Sequence, residues 1–218
     1  MELWFSYSPS DFLLFSADTY WRLFERINAD LWPLPLFTIP VLVLLAWWVW
    51  RGRRWSLTAL CVVLAAALLI VSEAFLAMRY QPINWAVAYL RPLFWVEALG
   101  LVAASIRLAQ PSGGARRWLG FGFLALAAFY PLIGILAGRL WAQAEVFALA
   151  PDPTMIAVLG ALMLLRSTLA AIALALIPLL WLAVSALTLH TMEEPVWMLT
   201  VGIAVVGAVA VLVRGREN

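Results

Sequence analysis

The chain has 218 residues, of which 66% are hydrophobic and only 12% charged, with a formal net charge of +2 and a mean hydropathy of +0.97. That balance lies outside the range of a soluble globular domain and reads as an integral membrane protein. No stretch outside the apolar runs is long enough for a soluble catalytic domain, and the pI of about 9.0 reflects arginines at membrane boundaries rather than nucleic-acid binding.

Residues 1–32 are expected to form an amphipathic segment on the outer surface. Ser8 followed by Pro9 suits an N-cap and first helical turn. Leu13, Ala17, Tyr20, Phe24, Ile27 and Leu31 then recur at spacings of four and three, with Asp11, Asp18, Arg22 and Glu25 on another face. Such a helix lies either on the outer leaflet or across the mouth of a bundle. The chain turns at Trp32-Pro33-Leu34-Pro35 before the first apolar run.

A spanning helix needs about 20 apolar residues, and the candidates cover 33–50, 57–78, 84–106, 118–138, 151–165, 168–189 and 195–213. The fifth is short, and no Gly or Pro separates it from the sixth, so six spans are the alternative to the favoured seven. Orientation follows from arginine retention on the cytoplasmic side. With the N-terminus outside, Arg51, Arg53, Arg54, Arg107, Arg116, Arg117, Arg166, Arg214 and Arg216 fall inside, whereas Arg22, Arg26, Arg79 and Arg139 fall outside. The fold class is therefore all-α: a polytopic membrane bundle of seven helices, N-out and C-in, over 33–213, with a cytoplasmic tail at 214–218.

Several functions are excluded by composition. The chain has no lysine, so no retinal Schiff base can form. One His and one Cys cannot supply a paired-histidine haem site or a His/Cys zinc cluster, and no Gly-rich phosphate loop is present. No catalytic residue, metal or cofactor is expected; a bound lipid or pigment remains open. Cys61 reads as a small buried hydrophobe and His190 as an interfacial residue at the outer end of the sixth span.

Charges inside spans are the informative residues, because each is costly unless paired or near water. At 1.5 Å per residue, Glu73 lies ~7 Å and Arg91 ~10 Å from the outer boundary, so the two can pair. Glu97, at ~20 Å, has no cationic partner at its depth and is expected as a neutral, hydrogen-bonded acid. Pro92 frees one helical carbonyl beside Arg91. This group is either a structural ion pair with a kink or a polar site lined by Glu73, Arg91 and Glu97. Further along, Gly134 and Gly138 are four apart, as in closely packed helix pairs. Leu140–Leu149 suits a short interfacial helix. Asp152 reads as an N-cap before Pro153; the alternative is a half-helix whose positive end faces a ligand.

The run YQPINWAVAYLRPLFWVEALGL, the segment FYPLIGILAG followed by APDPT, and IPLLWLAVSAL resemble a family of bacterial polytopic membrane proteins, the domain of unknown function 6064, from about Tyr20 onward. The resemblance implies a multi-pass protein of the bacterial inner membrane and almost nothing about activity. The family pattern has Gly-His after the Tyr-Pro-Leu helix and Cys-Pro-Thr at the start of the next; here Gly138-Arg139 and Asp152-Pro153-Thr154 stand there, so neither thiol nor imidazole chemistry transfers. An Arg139–Asp152 ion pair fits the same place. Glu97 stands where the family tends to have glutamine. The expected function is a non-catalytic accessory or scaffold subunit packing against lipid, pigment or a larger membrane complex; the alternative is a small transporter or proton-coupled permease using Arg91, Glu73 and Glu97.

Overall fold

The computed structural model describes residues 15–108, 113–165 and 169–212. The proposed cap at Ser8-Pro9, Asp11, Leu13 and the tail at 214–218 lie outside the described residues.

An amphipathic helix, α1 (Ala17–Asp30), precedes seven apolar helices: α2 (Pro35–Trp50), α3 (Ser56–Ile70), α4 (Val87–Leu108), α5 (Gly114–Leu136), α6 (Pro151–Leu164), α7 (Leu169–Thr191) and α8 (Trp197–Leu212). Of the helix expected over Ser8–Leu31, the described part is α1. It begins at Ala17, where the Ser16 hydroxyl accepts from the Thr19 N–H at 3.3 Å and satisfies one of the first turn's unpaired donors. Its apolar side, Tyr20, Trp21, Leu23, Phe24 and Ile27, is buried against the protein, so α1 packs across the bundle mouth rather than into a leaflet. It meets α2 at 87°.

Among the described residues four helices are long and apolar enough to cross a membrane: Ser56–Tyr80, Val87–Ile106, Gly114–Leu136 and Ala171–Thr191; a fifth span arises if the bent α1–α2 pair counts as one. α6 and α8 are apolar but shorter. The first long span continues beyond α3 as a π-helix over Val71–Tyr80, closed by the five-residue bond from the Gln81 N–H to the Leu76 carbonyl at 2.8 Å. Arg79 folds back to the Ala74 carbonyl and pairs with Asp30 of α1 at 2.6 Å, which holds this wider coil against the lid.

Contacts at the helix ends fix the alternation of the bundle. Arg117, at the start of α5, donates to the Trp50 carbonyl at the end of α2, while Trp21 of α1 donates to Glu194 before α8. Aromatic side chains collect at both ends: Trp48 on Trp55 and Trp50 on Trp118 and Phe121 at one, Trp85 on Tyr89 and His190 on Trp197 at the other. Two aromatic girdles are what amphipathic rings produce at two membrane–water boundaries.

The centre of the bundle is α6, the short candidate. Every residue from Pro151 to Leu164 is buried, enclosed by α3, α5, α7 and α8. It lies against α5 because Gly120 and Gly160 face each other: a Cβ on Gly160 would stand 2.8 Å from the Gly120 carbonyl oxygen, and one on Gly120 would stand 2.9 Å from that of Gly160. This pair replaces the expected contact through Gly134 and Gly138. Gly138, at φ +88°, instead ends α5 in the left-handed conformation that glycine tolerates. Gly134 leaves room for the Arg139 guanidinium, 3.3 Å from where its Cβ would be.

Candidate functional site

The end of the bundle under α1 holds most of the buried polar groups. The segment after α5 is not the expected interfacial helix over Leu140–Leu149. It makes a single short turn, Trp141–Gln143, and then runs inward with Ala144 to Ala150 all buried. Irregular peptide at this depth needs partners. The Ala142 and Ala144 carbonyls accept from Asn28 of α1 at 3.0 and 2.9 Å. The Ala148 N–H, at φ 69°, donates to the Thr154 hydroxyl at 3.0 Å, and that hydroxyl donates to the Ala150 carbonyl at 2.7 Å.

Asp152 does not cap α6. The N-cap is Ala150, and Pro151 is the first helical residue, so Asp152 lies in the first turn, where a negative charge complements the helix dipole. Its carboxylate is 2% exposed and accepts three side-chain donors: the Trp181 indole at 2.7 Å, the Ser185 hydroxyl at 2.6 Å and the Tyr130 hydroxyl at 3.2 Å. These come from α7 and α5, so one carboxylate ties three helices together.

Nor does Arg139 pair with Asp152. It bonds Glu145 at 3.0 Å, both side chains being nearly inaccessible, and its guanidinium stacks 3.7 Å from the centre of the Trp21 ring. The sharp turn at Gly138 brings Arg139 back over its own helix, within reach of the adjacent buried segment before it can reach α6. Burial pushes the Glu145 carboxyl up to about 7, and the Asp152 charge adds to the rise while Arg139 opposes it. Trp21 also donates to Glu194 at 2.9 Å, so α1 closes over this cluster through a single indole that is stacked on one face and bonded at its edge.

The opposite end of α6 is sealed by a residue that the charge count treats only as a cytoplasmic arginine. Arg116, fully buried, reaches from the first turn of α5 to the Met163 and Leu162 carbonyls at 3.0 and 2.9 Å. Those are among the last carbonyls of α6, which have no partner within the helix, and a cation there complements the negative end of the dipole.

Glu73 and Arg91 do meet. Arg91 donates to both Glu73 oxygens, from Nη2 at 2.8 and 2.6 Å and from Nε at 3.2 Å, and the Trp95 indole donates to the same carboxylate at 3.1 Å. The side chains are 38% and 37% exposed, so the pair lies on the outside of the bundle. Glu97 stands apart from it. The residue is fully buried, and neither of its oxygens has a hydrogen-bond partner among the described residues, so the expected hydrogen bond is not made to any of them. Three polar candidates of one sequence stretch therefore occupy two places, one open and one closed. His190 is exposed in the last turn of α7, its ring edge-on to Trp197 with centroids 4.7 Å apart.

A family model matches residues 17–218. The chain belongs to the DUF6064 family, a family of unknown function. No curated protein and no solved structure matches it. The DUF6064 match begins at the first residue of α1, so the lid over the Asp152–Arg139–Glu145 cluster is part of the family region together with the seven helices beneath it. In this DUF6064 chain Arg139 and Asp152 are neighbours in the same buried cluster, close enough for the Arg139 charge to act on the Asp152 carboxyl, although each takes a different partner.

Proposed function

We propose that this protein is a non-catalytic subunit of the bacterial inner membrane, multi-pass with its N-terminus outside, that packs against a helix of a partner membrane protein through the outer face of α4. The observation that carries the reading is the Glu73–Arg91–Trp95 group, its ion pair more than one-third exposed on the side of an apolar span. An ion pair facing hydrocarbon is costly, and a partner helix covering it relieves that cost. The surrounding surface suits the role: Trp85, Tyr89, Val96, Leu99 and Ile106 are all exposed at spacings of four, seven, three and seven, the stripe that a second helix packs against. Of the four long spans α4 is the least covered, with 33% of its apolar window buried.

The test places a photo-crosslinking residue at Leu99 in cells, followed by purification in mild detergent and mass spectrometry. A stoichiometric partner, cross-linked at Leu99 and lost when Glu73 and Arg91 are both made glutamine in a chain that still folds, supports the reading. Capture unaffected by the double change counts against it. The transporter reading is favoured by one different observation, the buried carboxyl of Glu97, which has no hydrogen-bond partner among the described residues. It requires that Glu97→Gln abolish proton-coupled uptake in a protein that folds normally, whereas the subunit reading requires glutamine there to be silent.

A further inference from the structure

At the end of the bundle opposite α1, the turn between α2 and α3 reads Arg51-Gly52-Arg53-Arg54. Gly52 takes the left-handed conformation at φ +70°, and the Arg53 N–H closes α2 on the Trp48 carbonyl at 3.3 Å. Three arginines therefore stand within one tight turn, all exposed. A fourth joins them from α5: Arg117 donates to the Trp50 carbonyl at 3.1 Å, and the Trp118 ring packs on the Trp50 ring with centroids 4.9 Å apart. None of the four makes an ion pair among the described residues. We propose that this patch binds the phosphate headgroup of an anionic glycerophospholipid.

Charge decides the chemical class. The described carboxylates are elsewhere: those of α1, Glu145, Asp152 and Glu194 gather at the end under the lid, and Glu73 and Glu97 lie within spans. Four like charges brought together without a counter-charge repel one another, and an anion seated among them lowers that energy. A guanidinium also presents a planar fork of N–H donors that matches two oxygens of a phosphate. Arg51, Arg53 and Arg54 have no side-chain hydrogen bond among the described residues that would occupy those forks, so their donors face outward.

Position decides for a lipid over a dissolved anion. Trp47, Trp50, Trp55 and Trp118 are exposed around the patch, and exposed indoles lie at the headgroup level of a bilayer. The Arg51 guanidinium sits 5.2 Å from the centre of the Trp47 ring and that of Arg117 5.7 Å from the Trp50 ring. These contacts keep two of the cations at the depth of the indoles, where phospholipid phosphates are found and each basic group adds to the attraction for anionic lipid. Behind the turn the outer side of α2 is apolar, with Val43 and Leu44 exposed, which gives the acyl chains a surface continuous with the headgroup site.

The experiment uses the full chain in phosphatidylcholine nanodiscs with a trace of phosphatidylglycerol or phosphatidylcholine that carries a photoreactive group at the top of one acyl chain, and the cross-linked peptides are mapped by mass spectrometry. Labelling within 43–55 and 114–121 is expected to be at least about tenfold stronger for phosphatidylglycerol at low salt and to approach equality at high salt. Arg53→Gln with Arg54→Gln should lower it about fivefold or more, the factor for at least one basic group at an anionic surface. Arg22→Gln with Arg26→Gln, on the exposed side of α1, should leave it unchanged. If the first double variant does not fold, the salt dependence of the unaltered chain carries the test. Inorganic phosphate added at constant ionic strength should not displace the label. Equal labelling by the two lipids, phosphatidylglycerol labelling spread evenly over both ends of the bundle, labelling insensitive to Arg53→Gln with Arg54→Gln, or full displacement by inorganic phosphate would each overturn the proposal.

Discussion

Replacing Asp152 by alanine should be among the most damaging single changes to this fold, and replacing it by asparagine should be mild. Alanine removes an acceptor that serves three donors at 2.7, 2.6 and 3.2 Å. The Ser185 hydroxyl can rotate to a carbonyl of its own helix, and the Tyr130 hydroxyl has some freedom, but the rigid indole of Trp181 cannot turn away. An orphaned buried donor costs about 1–3 kcal/mol, and bonds to a charged group contribute about 1.5–3 kcal/mol each. Relief of the buried charge offsets part of this, which leaves a net loss of about 2–4 kcal/mol. At about 2–4 °C per kcal/mol for a chain of this size, the apparent midpoint falls by about 5–15 °C. Asparagine keeps one oxygen for the indole, and its amide can donate to Ser185 or Tyr130 as those hydroxyls reverse, so the loss stays below about 4 °C. Thermal unfolding in detergent, read by tryptophan fluorescence and by monodispersity after heating, gives the comparison. An alanine variant as stable as the parent, or an asparagine variant as damaged as alanine, would show that Asp152 does not fasten α5, α6 and α7.

Gly160→Ala should destabilise by about 1–3 kcal/mol, since its Cβ meets backbone on α5 at 2.8 and 3.1 Å, whereas Gly122→Ala enters open space and should leave the midpoint unchanged in the same assay. The Glu145 carboxyl, raised to about 7 from 4.5, binds more protons folded than unfolded between those values, so its contribution makes stability fall as pH rises from below 4.5 to about 7 and then level off. Glu145→Gln should flatten that slope in unfolding curves taken from pH 5 to 8, and an unchanged slope would assign it to other groups. Arg91→Gln alone should lower stability more than the double change with Glu73→Gln, because it strands the carboxylate; with both groups about one-third exposed, the difference is at most about 1 kcal/mol.

Much of the helix pattern is legible in the sequence because apolar runs and their breaks are local. The seven apolar helices fall within a few residues of the expected runs, and the three-and-four spacing of Tyr20, Phe24 and Ile27 marks the buried side of α1. The meeting of Glu73 with Arg91 follows from depth counting alone. What stays hidden is which apolar helix is central. In a bilayer, residues that face lipid and residues that face protein are equally apolar, so nothing in PDPTMIAVLGALML distinguishes a core helix from an ordinary short one. The partners of Asp152 lie 22 to 33 residues away on other helices, and local capping rules do not see them. Arg116 is missed for a similar reason: a charge next to an apolar run reads as a boundary marker, and only the position of α6 shows that it closes a helix end. The pairing of Gly120 with Gly160 needs two helices at once, whereas Gly134 and Gly138 attract notice because they share one.

The length of α6 also bears on how the protein responds to its membrane. Fourteen residues rise ~21 Å, well short of the ~30 Å of a hydrocarbon core, yet no lipid must thin to meet it, because all of its residues face protein. Matching to bilayer thickness therefore falls on the outer helices, which tilt or strain as thickness changes. α6 registers such changes only through its neighbours, with Asp152 and Arg116 holding its two ends at a fixed separation. A sterol-thickened and a thinned membrane would thus load the rim of the bundle differently while its axis keeps one length.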